Sequence, residues 1–160
     1  MNKHFVITIG REFGSGGREI GMALAQKLGV KCYDKELLAI TAKESGLSEE
    51  ILKSLDERPT NSFLYSLVMD TYAMGYSTSS YVDMPLNQKA FMAQYDTIKS
   101  LAEQESCVIV GRCADYALKD RDDCYTVFIK ASMDAKIKRV SRIYNLSEDK
   151  AKDLIVKNNK

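Results

Sequence analysis

A glycine-rich turn is the stretch of this sequence whose residue types most clearly suggest chemistry. Gly14, Ser15, Gly16 and Gly17 follow an apolar run, and a helical pattern begins at Arg18. Glycines let backbone N–H groups approach an anion closely, and the start of a helix adds positive potential. The pattern predicts a phosphate-binding turn. The alternative is a plain turn that joins a strand to a helix without any ligand.

The turn matches the strong phosphate-binding motif G-x-x-x-x-G-K-[ST] only in part. Gly17 occupies the lysine position, and Arg18 and Glu19 replace the small and hydroxyl residues. A dinucleotide-binding G-x-G-x-x-G pattern fails because Glu19 stands where the third glycine belongs. Arg18 is our first candidate for the missing cation, since a guanidinium binds phosphate in a bidentate fork. Arg11 is a second candidate, and solvated surface charges are the alternative for both.

The composition fits one globular domain and offers no footprint of a nucleic-acid or membrane partner. The chain has 160 residues, of which 45% are hydrophobic, 23 are basic and 22 are acidic. Balanced charge argues against a nucleic-acid or membrane-surface binder, and no signal peptide or long apolar run is present. The four cysteines form no C-x-x-C pair, and His4 is distant from them in sequence, so we expect no zinc site and name no metal ligand. We predict a cytoplasmic protein with reduced thiols.

Apolar runs alternate with helical patterns along the chain. The predicted strands cover 5–9, 30–33, 107–110 and 125–129. The predicted helices cover 18–28, 35–44, 49–57, 63–73, 86–105, 113–118, 132–143 and 148–158. Strands that are apolar throughout and alternate with helices predict a parallel sheet covered on both faces, which is a three-layer α/β/α sandwich.

Several polar residues are predicted to meet at one edge of this sheet. Gly10, Asp34 and the Gly111-Arg112 pair directly follow predicted strands, and ligands in such folds bind at the carboxyl ends of the strands. Each of these side chains also has a structural interpretation. Asp34 would cap the next helix, and Arg112 would form a salt bridge.

Two other segments have more than one interpretation. The helix over 132–143 contains Lys136, Arg139 and Arg142, which are either phosphate-binding residues or part of a solvated basic face. The stretch over 75–85 is rich in Ser, Tyr and Thr and is predicted to be a long loop. This loop is a substrate lid, a plain insertion or a contact in a homodimer, and the sequence does not distinguish these roles.

Four stretches of the sequence resemble the cytidylate kinase-like family of P-loop proteins. They are GREFGSGGREI over 10–20, the Tyr-Asp pair at 33–34, VIVGRCAD over 108–115, and VFIKAS over 127–132 with the helix through Arg139. The first is fairly specific, and the others fall in the right order. The resemblance implies a nucleoside monophosphate kinase fold with a five-stranded parallel sheet. It also implies a single domain over 1–160, with a helical insertion at about 35–105 and the start of a lid at about 139–160.

The resemblance further implies transfer of the γ-phosphoryl group of ATP, with Mg²⁺, to CMP, dCMP or a related acceptor. Donor phosphates would contact Gly14, Ser15 and Gly16, and the acceptor would contact Arg112. We extend the predicted nucleotide site to residues 14–19 and the acceptor site to Asp34. The implied catalytic arginines are Arg112 and Arg139, to which we add Arg18 in place of the motif lysine, and the implied lid residues are Lys136, Arg139 and Arg142.

The sequence also departs from the family pattern. Besides Gly17 and Glu19, Val110 replaces an acid before the Gly-Arg pair, and Ile40 replaces an arginine after the second strand. Family members usually continue beyond residue 160 through more of the lid and another strand, so we expect a truncated chain that leaves out part of the acceptor site. These departures favour a second hypothesis, a catalytically weak or inactive nucleotide-binding or sensory module. A partner-binding protein that only borrows the fold is the third.

Overall fold

The protein is an α/β chain, seen here in a computed structural model that describes residues 4–56 and 85–159. The strands are β1 (Val6–Arg11), β2 (Lys31–Tyr33), β3 (Cys107–Val110) and β4 (Cys124–Ile129). The helices are α1 (Gly17–Leu28), α2 (Glu36–Ser45), α3 (Glu49–Asp56), α4 (Leu86–Gln104), α5 (Ala114–Ala117), α6 (Met133–Tyr144) and α7 (Glu148–Asn158). Predicted elements within the described ranges are confirmed, with ends that differ by two residues at most. The predicted helix over 63–73 and nearly all of the 75–85 loop lie outside these ranges.

The four strands form one parallel sheet in the order β2-β3-β1-β4. The resemblance led us to expect five strands, and the described part of the chain contains four. Gly10 was predicted to follow β1, but it pairs with Phe128 inside the strand, and Arg11 pairs with Ile129. Strand β1 therefore ends two residues later than its apolar run indicates, because pairing with β4 continues past Ile9.

The centre of the sheet is buried by α1 on one face. Strand β3 is buried at all four positions, and Ile9, Val108 and Val110 pack with Ala25 of α1. A Cβ atom on Gly21 would lie 2.8 Å from Val110 Cγ2, so glycine at that position lets α1 approach the sheet closely. The expectation that all strands are buried is wrong for β4, whose four central residues are exposed. This strand lies at the edge of the described sheet.

The chain divides into two compact units, Met1–Lys35 with Ile98–Lys160 and Glu36–Thr97. The first contains the sheet. The second falls within the range predicted as a helical insertion, and its described helices meet in a small core of Leu38, Leu52 and Ala90. Among the described residues, no helix is long and apolar enough to span a membrane.

Helices α6 and α7 pack against each other beside the glycine turn. Ser132 caps α6 by accepting a hydrogen bond from the Ala135 N–H at 3.3 Å. Val140, Ala151 and Ile155 form the buried contact between the two helices. Phe13, which precedes the turn, packs against this core, so the helix pair supports one side of the turn.

Candidate functional site

The glycine turn between β1 and α1 has the backbone of an anion-binding site. Gly14 and Gly16 adopt left-handed conformations, with φ of 78° and 87°. The Ser15 N–H donates to the Glu12 carbonyl oxygen at 3.1 Å, which closes the turn. Gly16 is the N-cap of α1, and a glycine has no side chain that could accept a hydrogen bond there. The N–H groups of the first helical turn, which have no partner within a helix, therefore lack the side-chain cap that an N-cap residue usually supplies.

Ser15 adds a buried hydroxyl to the turn. The residue is only 4% exposed, and its Oγ atom has no hydrogen-bond partner within residues 4–56 and 85–159. Burying a hydroxyl without a hydrogen bond costs free energy. An anion bound at the turn would supply the missing acceptor, so the residues present fit a phosphate group.

Helix α6 holds the turn in place from the outside. A Cβ atom on Gly14 would lie 2.8 Å from Val140 Cγ2 and 3.4 Å from Lys136 Cβ, so the contact leaves no room for a side chain. The neighbouring Phe13 N–H donates to Asn159 Oδ1 at 2.7 Å. These contacts fix a segment that would otherwise be a flexible glycine loop.

Two cationic side chains of α6 reach the turn. Lys136 is buried, and its Nζ donates to Glu12 Oε2 at 2.9 Å. This hydrogen bond holds the pKa of Glu12 below its usual value. Arg139 Nη1 donates to the Gly14 carbonyl oxygen at 2.9 Å. Its Nε lies 3.9 Å from Glu19 Oε2.

The guanidinium of Arg139 also lies against the turn itself. Its Cζ would be 3.0 Å from a Cβ atom on Gly16. A guanidinium is only a donor, so it adds positive charge without capping the turn's N–H groups. Arg142, predicted together with Lys136 and Arg139, lies exposed on α6.

A second group of charges surrounds Asp34, directly after β2. Arg112 Nη1 lies 3.0 Å from Asp34 Oδ1, and Arg18 Nε lies 3.0 Å from Oδ2. Arg11 Nη2 is 3.9 Å from Oδ1, beyond hydrogen-bond distance. The side chains of Asp34 and Arg112 are 8% and 6% exposed, while those of Arg11 and Arg18 are 37% and 50% exposed. Among the residues that the structure describes, three guanidinium groups thus face the buried carboxylate of Asp34.

The turn after β3 places Arg112 in this cluster by an unusual backbone path. Gly111, Arg112 and Cys113 have φ of 75°, 55° and 54°. Residues other than glycine rarely adopt this left-handed region, and such outliers concentrate at binding and catalytic sites. The path brings the guanidinium of Arg112 to Asp34 while the Gly111 N–H still donates to the Ile9 carbonyl oxygen at 2.9 Å.

The structure therefore brings most of the predicted site residues into two clusters. The first surrounds the turn and contains residues 14–17, Glu19, Lys136 and Arg139. The second surrounds Asp34 and contains Arg18 and Arg112. Sequence reasoning gave Arg11 only a secondary place and missed Glu12. The sequence did contain a signal for Arg11. The strong motif has a glycine six residues before its lysine, and in this chain that position is occupied by Arg11.

No metal cluster is evident in the part of the chain that the structure describes. Within those residues, no group of three or more His, Cys, Asp or Glu side chains is placed to hold a metal ion.

This sheet order, with a glycine turn after the first strand and cations around it, defines a three-layer α/β protein of the P-loop kinase-like type. Residues 6–160 match the sequence profile of the cytidylate kinase-like family. The chain belongs to that family, and the resemblance predicted from its motifs is confirmed.

A solved structure is similar over nearly the whole chain. It is the crystal structure of an uncharacterized protein from Eubacterium ventriosum ATCC 27560, with 29% sequence identity and a TM-score of 0.64. The match covers 96% of this chain and 70% of that one. No curated protein gives a significant match.

Proposed function

We propose that this protein is a phosphotransferase that moves the γ-phosphoryl group of ATP to a nucleoside monophosphate. CMP and dCMP are the first acceptors to test, because the chain belongs to the cytidylate kinase-like family. Catalysis of phosphoryl transfer is mostly positioning and neutralisation of charge. Preorganised cations at two neighbouring phosphate sites are therefore the main requirement.

The glycine turn would bind the donor phosphates. Its N-cap residue, Gly16, provides no side-chain cap for the first-turn N–H groups, the Ser15 hydroxyl is buried without an acceptor among the described residues, and Arg139 adds a positive charge. Mg²⁺ in nucleotide sites is bound largely through phosphates and water. A magnesium ion would accordingly enter with ATP, where it would neutralise charge on the transferred group.

The arginine cluster would bind the acceptor phosphate. One observation supports this role above the others: Arg112 is almost fully buried and is aimed, together with Arg18, at the single carboxylate of Asp34. An acceptor dianion would find guanidinium groups already oriented, with Asp34 holding them in place before it arrives.

The test is a kinase assay with ATP, Mg²⁺ and a panel of nucleoside monophosphates. We expect turnover with at least one pyrimidine monophosphate. Replacing Arg112 with Ala should raise the Michaelis constant for the acceptor about 10-fold to 100-fold, the effect of one charge-assisted hydrogen bond. Lys27→Gln, an exposed change in the last turn of α1, is the matched control. Absence of turnover with every acceptor would rule out the proposed reaction.

A second candidate is a nucleotide-binding or sensory module that does not transfer phosphate. Gly17 at the lysine position and Glu19 in place of a hydroxyl favour it. Calorimetry separates the two functions, since the module would bind ATP or a monophosphate without any turnover. A pure partner-binding role predicts that neither binds. The cytoplasmic location and the homodimer stay predictions.

A further inference from the structure

Two positions of the glycine turn have exchanged their residue types relative to the strong phosphate-binding motif. That motif has a glycine, four variable residues, a second glycine and then a lysine. Aligned on Gly16, the first glycine corresponds to Arg11 and the lysine to Gly17. The chain therefore has a long cationic side chain at position 11, where the motif has glycine. At position 17, where the motif has lysine, the chain has glycine.

The structure gives a steric reason for this exchange. A Cβ atom on Gly17 would lie 2.5 Å from Arg11 Cβ, 3.0 Å from its Cγ and 3.5 Å from its Cδ. Real Cβ atoms do not approach other heavy atoms this closely, and Arg11 Cβ is fixed to the backbone of β1. Side chains at both positions would collide, so the stem of Arg11 fills the space next to the lysine position.

The guanidinium end of Arg11 reaches the second glycine turn. It contacts the position that a Cβ atom on Gly111 would occupy, and Nη2 lies 3.9 Å from Asp34 Oδ1. The side chain is 37% exposed. Arg11 thus extends from the start of α1, the proposed donor side, to the end of β3, the proposed acceptor side.

We propose that Arg11 is the phosphate-binding cation that replaces the motif lysine, and that it contacts the phosphoryl group between donor and acceptor. This assignment rests on the proposed function. Arg18, our first candidate from the sequence, is a weaker choice because its Nε is 3.0 Å from Asp34 Oδ2 and is already engaged there. Arg11 is beyond hydrogen-bond distance from the same carboxylate, so a phosphate oxygen competes for it more easily.

The experiment measures ATP and AMP binding by calorimetry for four variants of the full chain. Arg11→Gln removes the charge, Arg11→Lys keeps it, and Lys27→Gln is the exposed control. The double variant Arg11→Gly with Gly17→Lys restores the first glycine and the lysine of the strong motif, while Arg18 stays at its hydroxyl position. Glycine is needed at position 11, because alanine would keep the Cβ atom that lies 2.5 Å from the new side chain. Thermal unfolding confirms that each variant is folded.

We expect Arg11→Gln to weaken ATP binding about 10-fold to 100-fold, as the loss of one charge-assisted hydrogen bond does. AMP binding should change far less, because AMP lacks the terminal phosphates. Arg11→Lys and the double variant should each recover much of the ATP affinity.

Three results would overturn the assignment. If Arg11→Gln binds ATP as tightly as the wild-type chain does, only the role of Arg11 is wrong. If ATP and AMP binding fall equally and neither rescue variant recovers ATP affinity, Arg11 has a structural role. If the wild-type chain binds no nucleotide at all, the proposed function and this assignment both fail.

Discussion

Replacement of Asp34 by Asn tests whether its carboxylate holds the arginine cluster together. Removing one partner of a buried ion pair costs about 3–5 kcal/mol. Most of this cost should come from Arg112, whose side chain is 6% exposed. Arg11 and Arg18 are much more exposed, so solvent screens their share. For a domain of this length, 1 kcal/mol corresponds to about 2–4 °C in Tm. We therefore expect Asp34→Asn to lower Tm by about 10 °C.

The assay is thermal unfolding with and without inorganic phosphate. Phosphate should raise the Tm of Asp34→Asn more than that of the wild-type chain, because in the variant the guanidinium groups no longer face a carboxylate. Asp122→Asn, an exposed change of the same type, is the control and should leave both values unchanged. A variant that melts with the wild-type Tm, or equal stabilisation of both chains by phosphate, would refute the reasoning.

Three more predictions concern the surroundings of the site. Gly14→Ala should lower the free energy of unfolding by about 1–2 kcal/mol from its left-handed φ alone, and by more because of Val140 at 2.8 Å; an unchanged Tm would contradict this. Glu12→Gln should destabilise the chain at neutral pH but not in acid. The Lys136 hydrogen bond lowers the pKa of Glu12 in the folded chain. The stabilisation that this hydrogen bond gives is therefore present above the usual pKa of a glutamate and is lost as pH falls through the lowered pKa of Glu12. Urea unfolding at neutral and acid pH measures the difference. Burial raises the pKa of Tyr33 from its ordinary value of 10.0 to about 12, so the stability of the wild-type chain should fall as pH rises from 10.0 to about 12. Tyr33→Phe should lack this fall in alkaline unfolding, and identical pH profiles of the two chains would count against the prediction.

The secondary structure was predictable because it depends on local patterns. Continuous apolar runs identified β3 and the central part of β1, and helical spacing between glycines identified α1. The end of β1 was not predictable in the same way. Gly10 and Arg11 are poor strand residues by type, and they belong to β1 only because they pair with β4.

The candidate site was predictable as a set of residue types but not as a set of contacts. The glycine turn and the Gly111-Arg112 pair were recognisable from sequence. The approach of Arg139 to Gly14 joins residues 125 positions apart, so no local pattern reports it. The crowding of Arg11 against Gly17 joins nearby positions, but it depends on the three-dimensional path of the turn, which the residue types do not specify.

The close approach of positions 11 and 17 has a consequence for how such sequences diverge. The two arrangements differ at both positions, so two substitutions separate them, and a Cβ atom at position 17 would lie only 2.5 Å from Arg11 Cβ. If position 11 changes to glycine first, the intermediate has no cation at either position. If position 17 changes to lysine first, the intermediate is sterically overcrowded. Homologues should therefore fall into two separate populations, one with a long residue at 11 and glycine at 17, the other with glycine at 11 and lysine at 17.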